Sequence, residues 1–255
     1  MFKLWENLRK VNFALAAISL CVFAGVGSGP SSLCAESTQT GSDLVRPLGQ
    51  RQLLLGRDFS PTIIGTINAH PKVKQPRIIG QSEWGGEETT ASMKPHTPTR
   101  ITIHHEGSPK PLTPDQDPKK LLQNLQKWGR RERGWPDLPY HFLVDLDGNI
   151  YAGRNPQFVG DTNTNYDPTG HLLISVMGNY EIQAPNEKQL NAISELVAWL
   201  CDYYNIPPET VRCHQEYVPT TLCPGKYLAP YVLSGFFEGE VRKRIREAYV
   251  GQTKQ

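Results

Sequence analysis

Histidines and a thiol drawn from distant stretches constrain this chain more than any other feature. The segment Cys213-His214-Gln215-Glu216-Tyr217-Val218-Pro219-Thr220-Thr221-Leu222-Cys223-Pro224-Gly225 sets an imidazole and a thiol nine positions apart. Far upstream, Ile103-His104-His105 ends a strand-like segment with two more imidazoles. One imidazole from each region, with a thiolate, suits a tetrahedral Zn²⁺ whose fourth position stays open. A structural zinc would want a fourth protein ligand at short spacing, and the sequence holds no Cys-x-x-Cys or His-x-x-x-His pair.

The first residues read as a leader. Lys3, Arg9 and Lys10 make a positive start, Val11 to Gly27 is uncharged and mostly apolar, and small residues follow to Ser32. That order is the order of a secretory signal peptide, here residues 1–35 with cleavage expected near Ala35. The apolar run is short for a span of about 20 residues, so no stable membrane span is expected in the mature protein. The expected location is secreted or periplasmic. The formal charge of +2 resides in the leader, where three basic side chains face one acid, so the rest sums to zero. No electrostatic footprint for nucleic acid is left, and a neutral domain suits an uncharged glycan better than a polyphosphate.

Residues 36–76 read as an N-terminal extension rich in Gly, Pro, Ser, Thr and Gln, and a domain is expected over 77–250. Thr99–His105 alternates around Ile101 and Ile103 as a half-buried strand would. Asp117–Gly134 carries Leu121, Leu122, Leu125 and Trp128 at helical spacing. Tyr140–Leu146 and Asn149–Ala152 flank Asp147-Gly148, a hairpin signal. His171–Gly178 is an apolar run fit for a central strand. Asn186 caps a second helix with Leu190, Ile193, Val197, Leu200, Cys201 and Tyr204 on one face. Val211–His214 reads as a short strand and Pro230–Tyr249 as a closing helix. This order predicts an α/β architecture, a mixed central β-sheet flanked by helices.

Five pieces in order carry a resemblance: Ser82-Glu83-Trp84-Gly85; Ile101-Thr102-Ile103-His104-His105; Tyr140-His141-Phe142 through Asp147-Gly148 to Gly153-Arg154; Ile174 through Gly178-Asn179-Tyr180; and His214 through Gly225. Over roughly residues 77 to 235 the chain resembles the zinc-dependent N-acetylmuramoyl-L-alanine amidases that share a fold with peptidoglycan recognition proteins and phage amidase lysozymes. The resemblance implies that fold. It implies Zn²⁺ held by His104, His214 and Cys223, with Tyr140 and Thr221 as catalytic groups supporting the oxyanion. Adjacent strand residues point to opposite faces, so one of His104 and His105 can face the site, and the resemblance selects His104. The implied partner is peptidoglycan or a muropeptide, cut by a monomer at the amide between the lactyl group and L-alanine. The alternative is a recognition module that binds muropeptides without cutting them; such proteins usually lose the Cys ligand, which here is Cys223.

Departures from the relatives matter as well. Ser175 stands where the cytoplasmic recycling relatives carry a Glu base, and Gly160-Asp161-Thr162 replaces a His-bearing stretch after the hairpin. Asp161 and His171 are possible replacements for that histidine's contact. Arg154 suits either a muropeptide carboxylate, by bidentate pairing, or an anchoring role in the hairpin. Asp145 and Asp147 read as turn residues. Cys201, Cys213 and Cys223 remain after the leader, an odd number for an exported chain. Ligation by Cys223 resolves the count and leaves Cys201 and Cys213 either to pair or to sit as buried thiols, the second favoured because Cys201 lies on an apolar helix face.

Overall fold

A computed structural model describes residues 67–251; the expected leader and residues 36–66 of the extension lie outside the described residues. Ile78–Ile79 (β1), Arg100–His105 (β2), Phe142–Val144 (β3), Ile150–Ala152 (β4), His171–Val176 (β5) and Val211–Cys213 (β6) form one sheet in the order β1-β4-β3-β5-β2-β6. The β3–β4 hairpin is antiparallel and the other neighbours are parallel. This is the mixed sheet expected from the element order. Helices Gln81–Trp84 (α1), Pro118–Trp128 (α2), Glu187–Tyr204 (α3), His214–Tyr217 (α4), Ala229–Leu233 (α5) and Phe236–Val250 (α6) complete the domain.

Period-two alternation on the strands sorts side chains onto two faces. Ile101, Ile103, Phe142, Val144, Leu172, Ile174 and Val176 point to one core, shared with Ile193, Leu196, Val197 and Leu200 of α3 and with Phe237 and Val241 of α6. Burying each such side chain contributes about 1.5–3 kcal/mol relative to exposure. On the other face Leu143 and Tyr151 meet Trp84, Leu122, Leu138 and Met177. Thr102, His104 and Ser175 alternate with the first set, so they share the second, more polar face, and they too are buried.

Helix ends follow the local sequence. Asp117 accepts the Lys119 N–H ahead of Pro118 at the start of α2. Asn186 and Gln189 make a reciprocal capping box on α3. The hairpin turn is tied by Asp145, whose carboxylate accepts from the Asp147 and Asn149 amides, Asn149 Nδ2 and Tyr151 Oη. With its oxygens committed there, Asp145 is a turn residue, as expected. Ahead of β1, the Asp202 carboxylate of α3 accepts from the Lys72 and Val73 amides, Asn68 Nδ2 and Tyr249 Oη. Residues 68–73 are thereby fastened across α3 and α6. Among the described residues no helix is long and apolar enough to cross a membrane.

Three details differ from the sequence expectations. The closing helix is two helices, because Ser234-Gly235 breaks it and Gly235 takes a positive φ of 75°. The last strand stops at Cys213, and His214 opens the one-turn helix α4 instead of ending β6. Beyond α2, Gly129–Arg133 forms a π-helical turn closed by Gly134 at φ 67°, an irregularity that apolar spacing does not encode.

Candidate metal centre and cleft

The parallel pairing of β2 with β6 matches Ile103 to Cys213. The residue that follows each of these is a histidine, His104 within β2 and His214 just past the end of β6, and the two meet at the carboxyl ends of neighbouring strands. Crevices outside the carboxyl ends of strands are the general ligand sites of α/β sheets. The two imidazole centroids lie 4.6 Å apart. The segment after α4 then folds back: Gln215 donates its N–H to the Cys223 carbonyl at 3.0 Å. Gly225, at φ 97°, packs so tightly on Tyr180 that a Cβ would stand 2.3 Å from the Tyr180 carbonyl carbon. That contact needs glycine, and it seats Cys223 against β2.

One donor atom from each of His104, His214 and Cys223 lies within 4.8 Å of the others, and all three residues are buried. Tetrahedral bonds of the lengths zinc makes to nitrogen and sulfur would separate the two donor atoms by about 3.5 Å. Cys223 Sγ is 3.6 Å from His104 Nδ1. His104 thus turns Nδ1 to the thiol, while its Nε2 is buried without a hydrogen-bond partner. The donor set and its spacing therefore fit a zinc ion. Burial, and then the neighbouring His214, hold His104 well below the ordinary imidazole value. Burial brings His214 down to about 4. Both rings are thus neutral at pH 7, the form a metal ligand requires. Burial pushes the Cys223 thiol up to about 12, opposed by the His105 backbone N–H. A cation at the site would reverse that and hold the thiolate, since ligand deprotonation couples to metal binding.

His105 faces away from this cluster. Its Nδ1 accepts the Tyr180 amide at 3.2 Å, and burial lowers its pKa to about 4. Tyr140 tilts against His104 with centroids 5.3 Å apart. Its hydroxyl is 3.5 Å from the His105 carbonyl, longer than a firm O–H···O bond, so it remains available to a ligand in the cleft. Burial first, then Cys223 and Glu106, hold the phenol above its ordinary value, so it stays a neutral donor. Thr221 accepts the Cys223 amide at 3.2 Å, a local turn bond that leaves its O–H free to donate. Ser175 is paired across from His104 and is fully buried.

Arg154 is an anchor. Its guanidinium donates to the carbonyls of Leu138, Val159 and Asp137 and pairs with Asp161. The arginine side chain is 3% exposed, so its guanidinium is committed to the scaffold, whereas Asp161, held by it, is 31% exposed and lines the cleft. His171 bonds Thr102 Oγ1 at 2.8 Å and packs edge-on to Tyr217; it lies outside the donor cluster. Cys201 and Cys213 are free, buried thiols.

The cleft beside the donors is lined by Glu106, Trp135, Tyr140, Asn163, Thr164 and Thr221. It adjoins a cavity of about 440 Å³ reached by His105, Gly107, Asn179, Glu181 and Leu222. Sequence reasoning missed Thr164, whose Oγ1 is 2.6 Å from His214 Nε2, and Tyr166, whose ring lies 5.2 Å from the same imidazole. It also passed over Glu106 and Trp135 as cleft residues. Their loops lack periodicity, so nothing local marks them; the order Thr-x-Thr-x-Tyr before a central strand was the one available signal.

Several buried imidazoles make stability depend on pH. Burial is the first cause in each case, bringing His141 to about 3 and His171 to about 4, against an ordinary 6.5. Between about pH 4 and 6.5 the unfolded chain binds more protons than the folded one, so stability is held above this window and falls as pH drops through it. The slope is up to about 1.4 kcal/mol per pH unit for each such histidine. Thermal midpoints of metal-free protein are expected to decline from pH 7 to pH 4; a flat profile would contradict the burial of these rings.

Comparison with known proteins bears on the family and the fold. Residues 94–226 match the family Amidase_2, N-acetylmuramoyl-L-alanine amidase. The chain is 32% identical over 154 residues to peptidoglycan recognition protein 1 of Bos indicus, covering 59% of this chain and 80% of that one. It is 27% identical over 190 residues to an N-acetylmuramoyl-L-alanine amidase of Mus musculus, covering 71% of this chain and 33% of that one. A solved structure of peptidoglycan recognition protein LE in complex with tracheal cytotoxin, a monomeric diaminopimelic acid-type peptidoglycan, superposes with a TM-score of 0.56 at 28% identity, covering 62% of this chain and 92% of that one. The fold and the match together define an amidase-type domain of the peptidoglycan recognition class. The chain belongs to the N-acetylmuramoyl-L-alanine amidase family.

Proposed function

We propose that this protein is an exported, zinc-dependent amidase that hydrolyses the lactyl–L-alanine amide of peptidoglycan. The observation that carries the reading is the buried His104, His214 and Cys223 set, with donor atoms within 4.8 Å, at the wall of an open cleft. A zinc ion bound there would supply an activated water at neutral pH and Lewis acidity toward the scissile carbonyl. The chain's own groups do the rest. Tyr140 and Thr221 flank the donors as neutral hydrogen-bond donors, suited to negative charge that develops on the amide oxygen. Neutral donors favour the charged transition state over the uncharged amide, and that difference is what accelerates a reaction. Retention of the thiol at 223 sets this reading above a binding-only module.

Zinc analysis combined with turnover on purified cell wall separates the readings. About one zinc per chain and release of new amino termini are expected. Wall binding without zinc would mean a receptor, and zinc with neither binding nor release would mean a structural metal.

A further inference from the structure

We infer that Thr164 is a positioning residue for His214, holding the imidazole by Nε2 and presenting Nδ1 to the metal site. The inference rests on the zinc reading above. Thr164 Oγ1 and His214 Nε2 are 2.6 Å apart. A ring nitrogen can ligate only if it carries no proton, so a ligating Nδ1 requires the proton on Nε2. Thr164 then accepts that Nε2–H and donates its own hydrogen to Thr162 Oγ1, 2.8 Å away. Thr162 in turn accepts the Thr164 backbone N–H at 3.1 Å, so the acceptor is fixed by its own loop. The opposite arrangement, with Thr164 donating to Nε2, would put the proton on Nδ1 and leave that nitrogen unable to ligate.

The same loop also holds the ring's face. Tyr166 lies against His214 at 5.2 Å and stacks on Tyr217 at 5.6 Å. Tyr217 closes α4, the helical turn that His214 opens. Edge and face are therefore gripped by side chains two residues apart in the loop between β4 and β5. His104 has no such partner at Nε2; its direction comes from the strand. The two imidazoles are oriented by different means, and a substitution in this loop should reach the metal through His214.

The test compares Thr164→Val, which keeps the shape and removes the hydroxyl, with Thr164→Ser, which keeps the hydroxyl. Zinc affinity is measured by chelator competition on the full chain, and folding by thermal midpoint. Loss of such an outer partner weakens metal binding by about 10–100-fold. That loss is expected for Thr164→Val, and Thr164→Ser should stay close to the parent. Nitrogen-15 NMR of metal-free protein reads the His214 tautomer directly. The Nε2–H form should dominate in the parent and in Thr164→Ser, and become a mixture in Thr164→Val. Parent-like affinity and tautomer in Thr164→Val would overturn the inference. Should the parent take up no zinc, the tautomer decides: loss of the Nε2–H form in Thr164→Val upholds the hold on His214 and overturns the metal reading alone. A tautomer indifferent to Thr164 overturns the inference itself.

Discussion

Cys223→Ser is expected to lose zinc and, with it, hydrolysis of cell wall, while the domain stays folded. A hydroxyl is a far poorer zinc ligand than a thiolate, and serine fits the space the thiol leaves. The backbone contacts that seat residue 223, from Gln215 and Thr221, do not involve the sulfur. His104→Ala should behave alike, because it removes the donor 3.6 Å from that sulfur. The control is one residue away. His105→Ala should keep the metal and lower stability, since the ring it removes accepts the Tyr180 amide and leaves that buried donor unpaired, a cost of about 1–3 kcal/mol. Metal content by mass spectrometry, with thermal midpoints of the same samples, checks the set. A His105→Ala protein stripped of zinc beside a zinc-loaded His104→Ala protein would reverse the assignment.

Tyr140→Phe is expected to keep zinc and fold yet lower turnover by about 10²–10³, the range for removing one oxyanion-hole donor. The ring that packs on His104 is retained. The hydroxyl removed lies 3.5 Å from the His105 carbonyl, longer than a firm bond, and faces Ser175, so the fold gives up little. Affinity for intact wall fragments should change far less, because a donor that acts on developing charge contributes mainly in the transition state. Steady-state release of peptides from purified peptidoglycan, with zinc checked in the same tubes, measures this. Unchanged turnover in a zinc-loaded variant would remove Tyr140 from the chemistry and leave Thr221 and the metal.

Much of this layout was legible before the structure. Alternation around Ile101 and Ile103 marked a strand on which only one of His104 and His105 could face the site, and the resemblance selected His104. Asn186 marked the start of α3, and Asp147-Gly148 the hairpin. What remained hidden depends on contacts between segments. The register that sets Ile103 beside Cys213 is a pairing of strands more than a hundred residues apart, and no local pattern encodes it. Arg154 was open between substrate and scaffold until three carbonyls and Asp161 accounted for its donors. Thr164 and Tyr166 sit in a loop whose sequence has no periodicity, and their partner His214 is 50 residues from Thr164. The break at Gly235 was passed over because apolar spacing continues on either side of it.

Mass analysis of purified peptidoglycan digested by the zinc-loaded protein tests the central claim most directly. Hydrolysis at the proposed bond adds one water and leaves glycan chains ending each substituent in a free lactyl carboxylate, with stem peptides that begin at a free L-alanine amine. Those two products together, absent from a Cys223→Ser digest run in parallel, are the predicted result. Cleavage within the glycan or inside the stem peptide, or intact wall recovered from protein that holds zinc, would contradict it.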